Sequence, residues 1–135
     1  MPRTGRAAAE AAREMIGVPF RLQGRDGEQG LDCVGLAARA LDVGTERVRR
    51  DYALRGTRLQ ALEAELAALG LARVAGAAEA GDVMIFSPGA AQLHLAIFTG
   101  DGFVHADAGL GRVVERPGEA PWPLLGAWRP GTGKE

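Results

Sequence analysis

One cysteine and two histidines are the residues of this 135-residue chain best suited to nucleophilic chemistry. Cys33 stands in "QGLDCVGLAARAL", directly after Asp32 and ahead of Leu36, Ala37, Ala40 and Leu41, which recur at helical spacing. Asp32 is a good N-cap, so the pattern predicts a helix that carries the thiol in its first turn. Unpaired backbone N–H groups and the positive end of the macrodipole at that position favour thiolate over thiol. The same N–H groups can stabilise the oxyanion formed when a thiolate attacks a carbonyl. The Asp32 charge works against ionisation, so a cationic partner is needed. The reading is of a partly accessible Cys33 with a lowered pKa.

Both histidines fall on consecutive predicted strands. His94 opens "HLAIF" and His105 sits in "FVHA", with "TGDG" between them. Asp101-Gly102 supplies the positive φ angles of a tight hairpin turn. Flanking residues of such a turn come into cross-strand contact, and His94 and His105 are expected on one face without being directly opposed. A Cys–His pair oriented by a third polar group is the usual arrangement of a thiol hydrolase. Each residue also has a plainer reading. A lone cysteine beside an apolar helix is more often a small buried hydrophobe, His94 can end a strand, and His105 can hydrogen-bond within a core. A metal site from Cys33, His94 and His105 is conceivable, but no closely spaced Cys or His pair resembles a zinc motif, and no metal or other cofactor is expected.

The elements that must position these residues follow from periodicity. Ala8, Ala12, Met15 and Ile16 share a helical face, and Gly17 with Pro19 stops that helix, predicted over 4–16. Residues 17–31 read as an irregular loop. Leu59, Leu62, Leu66 and Leu69 form the stripe of a third helix, with Thr57 as its cap and Gly70 at its end. From Gly81 onward, short apolar runs separated by turn residues predict an antiparallel meander. Helices followed by hairpin strands give an α+β domain with helices against one face of a twisted antiparallel sheet of about five strands. A single domain over 1–135 is expected, with the tail "GTGKE" frayed.

Composition narrows the function classes. A formal net charge of −1 with mixed signs argues against an electrostatic nucleic-acid binder. One cysteine cannot make an internal disulfide. No apolar stretch approaches the roughly 18 residues that span a bilayer, so no membrane insertion is expected. The amino terminus, with Arg13 and Glu14 in its alanine-rich run, lacks the apolar core of a signal peptide, which leaves the localisation open.

"GVPFRLQGRDGEQGLDCVGLAARAL" resembles the entry region of the NlpC-type cell-wall endopeptidases, in which Gly-x-Pro-Tyr, a glycine-rich loop and Asp-Cys-x-Gly-Leu lead into the catalytic helix. "AGDVMIF", "HLAIFTGDG" and "FVHADAGLGRVVE" resemble three further blocks in the family's order. The resemblance runs from about Gly17 to Glu115 and is strongest to the phage-associated branch. It implies a papain-like NlpC-type fold and a cysteine peptidase in which Cys33 is the nucleophile, His94 the general base and His105 the residue that orients His94. It also implies that Asp32 recognises the free amino end of a peptidoglycan stem peptide and that the bond cut joins D-glutamate to the diamino acid, through a thioester. Arg21 and Arg25 are then candidates for pairing with stem-peptide carboxylates. Phage tail or gene-transfer-particle proteins are candidate partners, and a phage-like particle is a candidate route to the wall. Three positions depart from the family pattern: Phe20 replaces the tyrosine after proline, Leu22 stands where many members carry an active-site tyrosine, and Val34 stands where serine is frequent. The alternatives are a papain-like acyl hydrolase or transferase on another amide or ester, and an inactive wall-binding or tail module.

Overall fold

The apolar residues of the strands sort onto two faces of one antiparallel sheet, and that sorting decides where the helices dock. The structure, a computed structural model, describes residues 3–22, 24–26, 30–43 and 58–130. In chain order the elements are helix α1 (Gly5–Glu14), the short strands β1 (Arg25–Asp26) and β2 (Gly30–Leu31), helices α2 (Cys33–Leu41) and α3 (Leu59–Ala68), and strands β3 (Leu71–Arg73), β4 (Val83–Phe86), β5 (His94–Phe98), β6 (Gly102–Asp107), β7 (Arg112–Pro117) and β8 (Leu124–Pro130). Strands β3 to β8 form one antiparallel sheet in the order β3-β8-β4-β5-β6-β7, and β1 pairs with β2.

Because side chains alternate along a strand, Val83, Ile85, Leu95, Ile97, Val104, Ala106 and Val113 join a core with Ala8, Ala12, Leu36, Ala40, Leu62 and Leu66 of the three helices. Met84, Phe86, Ala96, Phe103 and Ala127 form a second cluster on the opposite face. His94 and His105 have the parity of this second set.

The α+β architecture and the helices-first order agree with the sequence reading, and three details differ. The sheet has six strands, because Leu71–Arg73 pairs with β8 ahead of Gly81; three residues are too few to display an alternation. Strand β8 leaves the meander to lie beside β4, where Arg129 donates to both carboxylate oxygens of buried Asp82 at 2.9 and 2.8 Å. The turn between β5 and β6 spans four residues beyond the Phe98–Phe103 pair, closed by Thr99 N–H donating to the Gly102 carbonyl at 2.9 Å. Its positive φ therefore falls on Gly100, at 100°, rather than on Asp101-Gly102.

The described residues 17–20 are also more regularly bonded than a glycine-rich composition suggests. Gly17 and Phe20 N–H groups donate to the carbonyls of Val113 and Gly111, and Val113 N–H donates to Val18, each at 2.9 Å, so this segment runs along the free edge of β7. Helix α1 stops at Glu14, with Gly17 at φ 95° beyond it. Leu62 and Leu66 of α3 are buried as the leucine stripe requires, and Gly70 ends the helix at φ 91°. The expected cap Thr57 and the tail "GTGKE" lie outside the described residues; Arg58 precedes the helix without a side-chain cap. Among the described residues no helix is long and apolar enough to cross a membrane.

Candidate active site

The start of α2 is fixed by a small polar knot. Asp32 Oδ1 accepts from the Gly35 N–H at 2.9 Å, the N-cap bond expected from sequence. The same oxygen accepts from Arg25 Nη1 at 2.9 Å, and that nitrogen also donates to the Gly24 carbonyl at 3.0 Å. Two glycines make this closure possible. A side chain on Gly35 would strike the Gly24 carbonyl, and one on Gly24 would strike that of Gly30. Arg25 thus points inward with its side chain only 2% exposed, where it balances Asp32 instead of reaching toward a substrate carboxylate. Arg21 and Leu22 lie exposed on the neighbouring turn, Leu22 at 76%, and Phe20 packs against the core.

Cys33 is the first residue of α2 and is 6% exposed, packed with the apolar core. The Phe98 N–H donates to Asp82 on the β4 side, so alternation turns the backbone groups of Leu95 and Ile97 toward β6. The paired residues between β5 and β6 are only Ile97–Val104 and Phe98–Phe103. The Leu95 N–H acts on the Cys33 thiol from β5, against which the start of α2 packs. The structure in this way sets the thiol against the peptide unit that joins His94 to Leu95.

Burial pushes the Cys33 thiol up to about 12, with the Asp32 charge adding to it. The N–H groups of Leu95 and of Cys33 itself, and the Arg25 charge, act in the opposite direction and are outweighed. This corrects the expectation of a lowered pKa and a partly accessible thiol. The helix start does supply favourable N–H groups, but desolvation of a sulfur enclosed by the core is the larger effect.

The two histidines meet on the face away from the helices. His94 Nε2 and His105 Nδ1 are 2.9 Å apart, with the rings edge to face. Trp122, from the segment between β7 and β8, packs edge-on against both, at ring distances of 5.2 and 5.6 Å, and also against Phe86 and Phe103. Enclosure lowers the His94 pKa to about 4, helped by the neighbouring His105 and opposed by Asp107; burial also lowers that of His105. Both rings are therefore neutral near pH 7, and His94 is able to accept a proton.

Trp122 and Asp107 were not singled out from sequence. The available signal for Trp122 is "PWP", a large aromatic held between prolines in a chain that has only two tryptophans. Trp122, Phe103 and Phe86 also line a cavity of about 650 Å³ on this face, with Asp101 and Glu119 at its polar side. Among the described residues no group of three or more His, Cys, Asp or Glu side chains is arranged to hold a metal ion.

An α+β domain with a cysteine opening a helix and a histidine pair on adjoining strands has a papain-like layout. The model of the NlpC/P60 family matches residues 17–123, and the chain belongs to that family. Among solved structures, the chain is similar to NlpC1 from Trichomonas vaginalis at 20% identity and a TM-score of 0.64, over 90% of this chain and 43% of that one. It thus spans less than half of that protein. It is also similar to the NlpC/p60 domain of the peptidoglycan hydrolase SagA (22% identity, TM-score 0.54, 85% of this chain and 90% of that one). A third is the P60 domain of antigen MAP1204 from M. avium subspecies paratuberculosis (21%, 0.56, 92% and 91%). At these identities the likeness is one of fold. No curated protein matches in sequence.

Proposed function

We propose that the protein is a cysteine endopeptidase that hydrolyses a peptide bond in the stem peptides of bacterial peptidoglycan, with D-glutamate on the acyl side of the bond. Family membership and the fold shared with the SagA domain support the substrate class. The observation that carries the chemistry is the 2.9 Å His94–His105 contact, with Leu95, the residue after His94, turning its N–H to the thiol that opens a helix. Cys33 is the nucleophile, His94 the base and His105 its orienter.

The resting pair is a neutral thiol and a neutral imidazole. As sulfur attacks the scissile carbonyl, the thiol proton passes to the free ring nitrogen of His94, and the S–C bond forms without a free thiolate accumulating. N–H groups of the first turn of α2 stabilise the oxyanion. His94 then gives the proton to the leaving amine as the C–N bond breaks. Water, deprotonated by His94, cleaves the resulting thioester, and the proton returns to the Cys33 sulfur. Exposed Arg21 is the candidate partner for a stem carboxylate, and Asp32, already bound to Arg25, is the candidate for the free amine. Comparing free and N-acetylated stem peptides with Asp32→Asn tests that role.

Purified muropeptides incubated with the wild type and Cys33→Ala, with products resolved by mass spectrometry, decide the proposal. Cleavage by the wild type only, at one stem-peptide bond, is expected. Binding of muropeptides without turnover by the wild type would instead make the chain a wall-binding module, the reading that the buried thiol favours second.

A further inference from the structure

We infer that Asp107 is a positioning residue, fixing the tautomers of both histidines through His105; the inference rests on the proposed roles of Cys33 and His94. Asp107 follows His105 by two residues on β6 and therefore projects from the same face. Its Oδ2 is 3.9 Å from His105 Nε2, a buried nitrogen that has no hydrogen-bond partner among the described residues. The carboxylate is held in place from its other side. Oδ1 accepts from the Leu110 N–H at 3.0 Å, and the Asp107 carbonyl accepts from Gly111 at 2.8 Å, so a tight turn anchors the group that faces the ring.

Proton accounting gives the role its content. For His94 to take a proton from Cys33, its Nδ1 must be an acceptor, which places its hydrogen on Nε2. That N–H donates across the 2.9 Å contact to His105 Nδ1, so His105 in turn carries its hydrogen on Nε2. Nε2–H then points at the Asp107 carboxylate, whose oxygens accept hydrogen bonds. The opposite tautomer of His105 would direct Nδ1–H at His94 Nε2, force the His94 hydrogen onto Nδ1, and remove the base. A 3.9 Å separation is longer than a hydrogen bond, and such contacts commonly tighten when substrate binds. The charged and titratable groups facing His105 are His94 from β5, Asp107 from its own strand and Arg116 from β7; Arg112 lies opposite Asp107 in the β6–β7 register. Asp107 is the anionic member of that set.

The test pairs a tautomer measurement with kinetics. Long-range ¹H–¹⁵N NMR of the imidazoles in the wild-type protein at pH 7 should show both rings as Nε2–H. Asp107→Asn keeps an oxygen for Leu110 but puts a donor where Oδ2 stands; its His105 should lose the single tautomer. Muropeptide kcat should then fall at least about tenfold with KM unchanged, a part of the roughly 10²–10⁴-fold that a positioned base contributes. Asp107→Glu should recover part of the rate. An Nδ1–H tautomer of His105 in the wild type, or an Asp107→Asn protein with wild-type tautomers and wild-type kcat, overturns the inference. The tautomer spectra of the wild type and Asp107→Asn need no turnover, so together they decide the role of Asp107 even where the muropeptide assay rejects the proposed peptidase.

Discussion

Titrating Cys33 in the substrate-free protein measures the largest electrostatic consequence of its burial. Burial holds the thiol at about 12 against an ordinary 9.0. That corresponds to about a thousandfold less thiolate at any pH below both values, or about 4 kcal/mol. Because thiolate is the species that alkylates, the iodoacetamide rate followed by mass spectrometry should climb tenfold per pH unit through pH 10 without levelling. Restricted access to the sulfur lowers the whole profile but does not move its bend, so the pH of the bend isolates the electrostatic effect. Circular dichroism at each pH confirms that the fold persists. Asp32→Asn removes the second cause of the shift and should bring the bend downward, yet leave it above 9, because desolvation is the larger cause. The same variant weakens the α2 cap, worth roughly 1 kcal/mol of stability. A wild-type rate that levels off below about pH 9 would refute the reasoning, since the enclosed sulfur would then be no more costly to ionise than one in water.

Three further outcomes follow from the same geometry. Replacing His94 by alanine should lower muropeptide kcat by at least about 10²-fold while His105→Gln, whose amide can still hold a ring, keeps part of the rate; equal activity of wild type and His94→Ala removes His94 as base. The His94 pKa is depressed from 6.5 to about 4, so the unfolded chain binds the extra proton first: stability is full above 6.5 and is lost as pH falls toward 4, by about 3 kcal/mol. Urea unfolding at pH 7.5 and 4.5 should reveal this, and His94→Ala should flatten the difference; an equal pH dependence in both proteins contradicts it. Arg25→Met leaves the Asp32 carboxylate enclosed without its cation and should cost about 3–5 kcal/mol, whereas Arg25→Met with Asp32→Asn should cost less than the single change; a loss under 1 kcal/mol by urea midpoint means the pair is not buried in solution.

Local signals carry much of this arrangement. Asp32 as cap, Cys33 in the first turn of α2 and the leucine stripe of α3 each depend on residues within a turn or two of one another, where spacing and side-chain chemistry suffice. The meeting of His94 and His105 is nearly as local, since one hairpin joins their strands and parity puts them on one face. The state of the thiol is different. It depends on the helix start packing into the core beside Leu95 of β5, which joins segments far apart in the chain. Arg25 misleads for a related reason: an arginine in a glycine-rich loop reads as solvated until the close approach of Gly24 to Gly35 folds it against Asp32. Trp122 and Asp107 lie in a loop and at a strand end, with no periodic pattern to mark them; only the sheet's outer face gives them a common neighbour.

The enclosed, protonated state of Cys33 also bears on how the protein meets oxidants. Peroxide attack and mixed-disulfide formation both need an exposed thiolate, and the climb from sulfenic to irreversible sulfinic acid begins with that same species. A residue that is 6% exposed, its thiol pushed up to about 12, offers neither, and a chain with one cysteine has no second thiol to trap it in an internal disulfide. Under the proposed mechanism the thiol would thereby be kept in its reduced form between turnovers, becoming reactive only in the encounter where a carbonyl and an imidazole take its electrons and its proton together.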